Sequence, residues 1–343
     1  MTRVPATPVG LVLVLGLVLV GGRTSGARAA EGGSDSGGSR QIRIALVLDD
    51  TTIRPYERLP VEGLQRAVRE LGVQGKVVVV PPRSGYLPTF SSLARQKYDL
   101  IIALGLNQAP ELDAAAREFP DRKFLIVDTS WKEFPDRPKN VVGSFWQVQD
   151  PAYLAGYLAG LVERGRPGRD VVGSVGGIPI PTVDRYIAGF AAGARKADPG
   201  ITTLRGYSGD FYDTEKCRAV ALGQIARGAG VLFPVAGQCG DGTLQAAKER
   251  HVWGVGVDVD QSYLGPHILT SVTKHWNMDV FETVKALVRG KLRTGRDGVW
   301  DLRNGAVGLG KISPKVPRSF VRQVEKIRAQ ILAGEIKVPA ELG

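Results

Sequence analysis

The residues of this chain with chemistry to offer sit immediately after apolar runs. Asp49 and Asp50 follow IRIALVL, Asn107 follows YDLIIALG, Asp128 ends KFLIVD and Phe211 comes two residues after ITTLRGYSG. Gln238 and Asp241 follow GVLFPVAG, and Asp258 ends VWGVGVD with Asp260 just beyond it. Carboxylates in such places accept hydrogen bonds from hydroxyl or amino groups, and an aromatic face stacks on a planar ring. As a set they point to a small polar ligand, uncharged or cationic. Taken singly, each Asp would also serve as a helix N-cap.

Enzymatic signatures are weak. The adjacent Asp49 and Asp50 would hold a metal or act as acid and base, and that work needs a tuned pKa, which a sequence does not display. His251, His267 and His275 have neither HExxH nor HxH spacing. Ser174 lies in GSVGG rather than the G-x-S-x-G of a hydrolase elbow. VGSVGGIP and VAGQCGDG lack the GK[ST] of a phosphate loop, and no dinucleotide fingerprint is present. No catalytic residue, metal ligand or cofactor is therefore assigned.

Residues after strands matter because of the elements that position them. From Ile42 onward, short apolar runs alternate with amphipathic helical patterns: IRIALVL, PVEGLQRAVRELG, KVVVVPP, the stretch from Thr89 to Gln96, YDLIIALG, NQAPELDAAAREFP and KFLIVD. After NVVGSF and the helix PAYLAGYLAGLVERG the rhythm restarts at DVVGSVGG and runs to VWGVGVD. Continuous apolar strands between amphipathic helices predict an α/β fold whose parallel sheets are covered on both faces. Two successive α/β units of similar length are expected, with no sequence repeat standing out between them. In such sheets ligands gather at the carboxyl ends of the strands. The small residues of LAGYLAG predict close packing on a sheet or a neighbouring helix. A strand-like AVGLG and a helix from Arg318 to Leu332 complete the pattern.

Composition agrees. The 343 residues are enough for about two domains, and 43% hydrophobic content supplies cores for them. The formal charge is +11, yet 34 acids lie among the 45 bases without a basic block, so no nucleic-acid footprint is read. Arg3, the apolar run Val9–Val20 and Ala27-Arg28-Ala29 form a secretory signal over 1–29. A run of that length falls short of the ~20 residues that span a bilayer. The Gly- and Ser-rich stretch over 30–40 reads as a flexible linker. Export to an oxidising compartment permits disulfides. Cys217 near a helix start and Cys239 after the following strand both fall at the carboxyl edge, where they either bond or lie as two separate small core residues.

From about Tyr98 to Pro339 the chain resembles the basic membrane protein family, solute-binding proteins that include purine nucleoside receptors of ABC importers. The resemblance rests on FPDRKFLIVD, QDPAYLAGYLAG, VDRYIAGFAAGARKADPGI, SGDFYDTEK, VLFPVAGQCGDG, VGVDVDQS, ILTSVTK and ILAGEIKVP, in that order. It implies a type I periplasmic binding fold, two doubly wound parallel-sheet lobes joined by a hinge with ligand in the cleft between them. Lobe I is then expected over 41–147 plus 275–311, and lobe II over 148–274 plus 312–343. Asp128 resembles the carboxylate that reads the purine edge and Phe211 the aromatic that stacks on the base. Gly237 resembles the close-approach glycine, and Asp258 with Lys274 the pair that holds the ribose hydroxyls.

Two features depart from the family. Its first site loop usually reads D-x-S-F-N, whereas Asp49-Asp50-Thr-Thr-Ile-Arg-Pro-Tyr56-Glu57 stands here. Spacing back from Glu62-Gly63-Leu64 puts Tyr56 at the aromatic, where it can still stack, and Glu57 at the amide, where a carboxylate cannot donate. That leaves open a nucleoside with different donors or another polar ligand. Gly21, Gly22 and Arg23 stand where a lipid-anchored member has its cysteine. The implied protein is a monomeric, non-enzymatic, extracytoplasmic receptor serving an ABC permease. Its rivals are a ligand-sensing module of the same fold and an exported metal-dependent nucleoside hydrolase built on Asp49 and Asp50.

Overall fold

A computed structural model describes residues 40–48, 55–80, 85–168 and 170–343. The expected signal, linker residues 30–39, and Asp49 and Asp50 lie outside the described residues. The chain divides into two compact units, one comprising residues up to Ser144 with Val280–Asp297, the other Phe145–Asp279 with Gly298–Gly343, so it passes between them three times.

In the first unit, β1 (Arg43–Leu48), α1 (Pro55–Leu71), β2 (Gln74–Val79), α2 (Leu87–Arg95), β3 (Leu100–Leu104), α3 (Ala109–Glu118), β4 (Lys123–Val127) and β5 (Val141–Trp146) follow one another. Every residue of LIIAL in β3 is buried, as a strand covered on both faces requires. Phe90 and Leu93 of α2 and Leu112 of α3 close over one side of these strands.

The second unit opens with α4 (Gln149–Glu163), then β6 (Val171–Gly176), α5 (Pro181–Ala197), β7 (Thr202–Tyr207), α6 (Thr214–Ala226), β8 (Val231–Val235), α7 (Gly240–Glu249), β9 (Trp253–Asp258) and β10 (Ile268–Lys274). The crossover helix α8 (Trp276–Val288), β11 (Arg296–Trp300), β12 (Val307–Leu309) and α9 (Arg318–Ala333) complete the chain. Residues 298–311, which the sequence reading grouped with lobe I, include β12, and β12 pairs antiparallel with β10 of the second sheet.

Strand order is β11-β5-β4-β3-β1-β2 in one sheet and β12-β10-β9-β8-β6-β7 in the other. The two orders correspond strand for strand, a duplication that no sequence repeat had announced. Within each, the neighbouring βαβ strands pair in parallel. β11 escaped the sequence reading because RDGVW has no continuous apolar run.

The small residues of LAGYLAG have a helix as their partner. A Cβ on Gly156 would lie 1.9 Å from the carbonyl oxygen of Phe190, and one on Gly193 would lie 2.0 Å from that of Tyr153. Helices α4 and α5 therefore touch backbone to backbone, which any side chain at these positions would prevent. Among the described residues, no helix is long and apolar enough to cross a membrane.

Candidate functional site

At the carboxyl edge of the second sheet, four neighbouring strands end in β10-β9-β8-β6 order at Lys274, Asp258, Val235 and Gly176, with Gly237 and Gly177 just beyond the last two. Three strand spacings span about 14 Å, a scale suited to a small molecule. Asp258 has a φ of 66°, in the left-handed region that few L-residues adopt. The Val259 N–H donates to the Val257 carbonyl at 2.8 Å, closing a three-residue turn around it. Its Oδ1 pairs with the Lys274 ammonium 3.1 Å away and accepts from the Tyr186 hydroxyl at 3.2 Å.

Burial sharpens that arrangement. The Lys274 side chain is 3% exposed and that of Asp258 18%. The Lys274 ammonium also lies 5.0 Å from the Trp276 ring centre and 5.6 Å from that of Tyr186, within cation–π range. Tyr186, in the second turn of α5, is 2% exposed and meets Phe233 of β8 edge-on. Such an ion pair costs desolvation, which close geometry and extra hydrogen bonds offset.

On neighbouring strands, Phe211 is held from behind by backbone. Its carbonyl accepts from the Cys239 N–H at 3.0 Å. A Cβ on Gly177 would stand 2.4 Å from the Phe211 ring, and Gly237 adopts a φ of 54° beside the Phe211 carbonyl. The phenyl ring thus rests on a surface that only glycine provides. The flanking acids of SGDFYD are structural: Asp210 accepts from the Tyr212 and Asp213 N–H groups and from Lys216. Those backbone donors, then Lys216, hold its carboxyl down at about 2. Asp213 caps α6 by accepting from the Glu215 N–H at 3.0 Å. Cys217 at the start of α6 and Cys239 in the turn after β8 are joined as a disulfide, with Cα atoms 5.5 Å apart.

A further pair joins the end of β7 to the first turn of α5. The Tyr207 hydroxyl donates to the Asp184 carboxylate, and burial followed by that carboxylate pushes the phenol up to about 12. Sequence reasoning missed Tyr186, Tyr207 and Trp276. Tyr207 carries no signal of its own, and the only hint of Tyr186 is its position just inside α5, in VDRY.

In the first unit, Asp128 follows β4 with a φ of 65°, matching Asp258 at the last position of β9 in the other sheet. The turn beyond it is anchored by Asp297 of β11, which accepts from the Ser130 hydroxyl at 2.8 Å and the Trp131 N–H at 2.5 Å. Gly143 lets that turn come close, since a Cβ there would fall 2.0 Å from the Trp131 nitrogen. Buried Gln108 accepts from the Leu104 N–H and donates to the Val47 carbonyl, tying the ends of β3 and β1 together. Tyr56 and Glu57 fall in the first turn of α1.

The structure therefore brings Asp258 with Lys274, and Phe211 with Gly237, to one sheet edge of the second unit, while Asp128 belongs to the first. A surface cavity of 770 Å³ lies at the opposite, amino-terminal edge of the second sheet, lined by Lys248, His251, Trp253 and His267 among others. None of the described residues singled out for ligand binding lines it.

Similarity to known proteins identifies the family and the fold. The chain is 28% identical to a CD4+ T-cell-stimulating antigen of Listeria innocua over 361 aligned positions, covering 98% of each. It is 27% identical to the ABC transporter nucleoside-binding protein BmpA of Lactococcus lactis, covering 92% of this chain and 95% of that one. A solute-binding protein of an ABC transporter from Aeropyrum pernix superposes with a TM-score of 0.72 at 23% identity, over 87% of this chain and 94% of that one, a likeness that speaks to the fold. The family described as ABC transporter substrate-binding protein PnrA-like matches residues 44–341. It is a family of binding proteins rather than of enzymes, and this chain belongs to it.

Proposed function

We propose that this protein is the extracytoplasmic receptor of an ABC importer and captures a nucleoside-like solute for delivery to the permease. The observation that carries the reading is the Asp258, Lys274 and Tyr186 cluster on the same sheet edge as Phe211. A carboxylate whose charge is balanced by a buried ammonium accepts from sugar hydroxyls through charge-assisted hydrogen bonds and has no need of a cationic ligand. A phenyl ring backed by glycines offers a flat base a face, and stacking of this kind is worth roughly 1–3 kcal/mol in nucleic-acid binders. The nucleoside-binding relative from Lactococcus lactis supports the same class.

In this reading the ligand lies between the two lobes. Asp128 takes the base edge, Tyr56 and Phe211 stack, Gly237 allows close approach and Asp258 takes the sugar. Asp49, Asp50 and Glu57 of the altered first loop set which base is preferred. The signal over 1–29 carries the chain out of the cytoplasm, and the exported protein acts as a monomer.

Titration calorimetry of the purified protein against a panel of purine and pyrimidine nucleosides tests the proposal. Saturable binding at micromolar or lower concentration by at least one of them is expected. No heat from any of them at high protein concentration refutes the nucleoside assignment.

A further inference from the structure

The cavity at the amino-terminal edge of the second sheet takes no part in the nucleoside reading. Its 770 Å³ falls within the roughly 300–1,000 Å³ typical of small-molecule pockets. Three pieces of the second unit enclose it: the end of α7 with the turn into β9, the loop before β10, and the segment after β12. Backbone hydrogen bonds fix each piece. The Val252 N–H donates to the Ala247 carbonyl at 3.0 Å and the Gly254 N–H to the His267 carbonyl at 2.9 Å, while the Ser313 N–H, just ahead of Lys315, donates to the Leu269 carbonyl at 2.8 Å.

Val252, Trp253 and Pro266 give the lining an apolar surface, and His267 adds a second ring. Burial, then the Lys248 ammonium, hold that imidazole below the ordinary histidine range, and its Nδ1 is buried without a hydrogen-bond partner among the described residues. The ring is therefore neutral at pH 7.

Charge in the lining is lopsided. Lys248 and Lys315 contribute two ammonium groups, both on exposed residues and neither paired with a carboxylate of any described residue. Glu249 is the one acid among the lining residues, and its carboxylate is engaged elsewhere: Oε2 accepts from Arg218 at 2.7 Å and Oε1 from Gln245 at 3.1 Å. The end of α7 adds little negative charge, because the carbonyls of Ala246, Ala247 and Lys248 accept from the N–H groups of Arg250, Val252 and His251. Lysine stems lie along apolar surface and carry their charge at its rim. Such a cavity is complementary to a molecule that is apolar in its body and anionic at one end.

We infer that this cavity is a second ligand site, apart from the strand ends assigned to the nucleoside, and that it takes an aromatic carboxylate: the ring seats against Val252, Trp253 and Pro266 while Lys248 and Lys315 hold the carboxylate. A neutral amide of the same shape keeps the ring contacts and loses the charge. A bare carboxylate keeps the charge and loses the ring contacts.

The test titrates 1-naphthoate, 1-naphthamide and acetate into the purified protein by calorimetry. Naphthoate should saturate one site with a Kd of about 1 mM or below, naphthamide should bind about 5-fold or more weakly, and acetate should not saturate. Each exposed ion pair contributes up to about 5-fold, so Lys248→Gln combined with Lys315→Gln should weaken naphthoate about 5- to 30-fold and bring it level with naphthamide. Both side chains are exposed, and an unchanged melting temperature checks that the double variant folds. Trp253→Leu should weaken naphthoate and naphthamide alike. If that variant fails to fold, the lysine pair still decides.

Naphthoate that does not saturate below about 10 mM, or that loses less than about twofold in the double lysine variant, overturns the inference. Equal binding of naphthoate and naphthamide by the wild type overturns it too. A tetraglutamate peptide that displaces naphthoate and binds more tightly overturns the small-molecule assignment in favour of an acidic protein segment. No nucleoside enters these titrations, so their outcome and that of the receptor reading are independent.

Discussion

Breaking the bond between Cys217 and Cys239 should weaken the second unit and its site together. The two cysteines are 22 residues apart and both fully buried, so the closed loop holds most of α6 and all of β8. Treating the cross-link as a restriction on the unfolded chain, a loop of that length is worth about 3.4 kcal/mol at 25 °C. For a domain of this size each kcal/mol moves the melting temperature by about 2–4 °C, so reduction should lower it by about 7–14 °C. Cys239 also donates its N–H to the Phe211 carbonyl at 3.0 Å, so ligand affinity should fall in the reduced protein as well. Circular dichroism melts and urea titrations of the oxidised protein, with and without dithiothreitol, read the first effect, and calorimetry with a bound nucleoside reads the second. A stability loss below about 1 kcal/mol, with unchanged affinity, would refute the argument that this bond braces the site.

Other perturbations have defined outcomes. Asp258→Ala leaves the buried Lys274 ammonium without its carboxylate and should cost about 1.5–3 kcal/mol of ligand binding by calorimetry. Gly177→Ala puts a Cβ 2.4 Å from the Phe211 ring, so the ring must move; binding should weaken measurably, with a stability cost of about 1–3 kcal/mol in chemical denaturation. Asp297→Ala removes the acceptor for Ser130 and Trp131 and should destabilise the first unit by about 1–3 kcal/mol, read as a lower melting temperature. Burial, then the nearby Asp301, pushes the Asp150 carboxyl up to about 6, against the opposing pull of Arg303. The folded state thus holds a proton that the unfolded chain releases near pH 4, and stability falls as pH rises from about 4 to about 6. Asp150→Asn should flatten that slope and raise the melting temperature at pH 7.5, while leaving it nearly unchanged at pH 4.

The sequence by itself determined the class of the fold and where to look on it. Continuous apolar runs such as LIIAL admit few partners other than parallel neighbours covered on both faces, and this points to Asp128, Phe211 and Asp258 just at or after strands, while Lys274 is reached only through the family resemblance of ILTSVTK. The ordered motifs carried the family, because each combines a strand end with the turn that follows it.

What only the tertiary structure decided are relations between residues distant in the chain. Tyr186 and Asp258 are separated by 72 positions, Ser130 and Asp297 by 167, and no periodicity encodes either contact. The pairing of Cys217 with Cys239, left open by the sequence, and the correspondence of the two strand orders likewise arise from packing. β11 belongs to the same group, since RDGVW becomes a strand through its place beside β5 rather than through its own composition. Local apolar patterning sets the elements, whereas the side-chain donors around one carboxylate oxygen depend on how separate elements converge, and that convergence is a property of the folded chain alone.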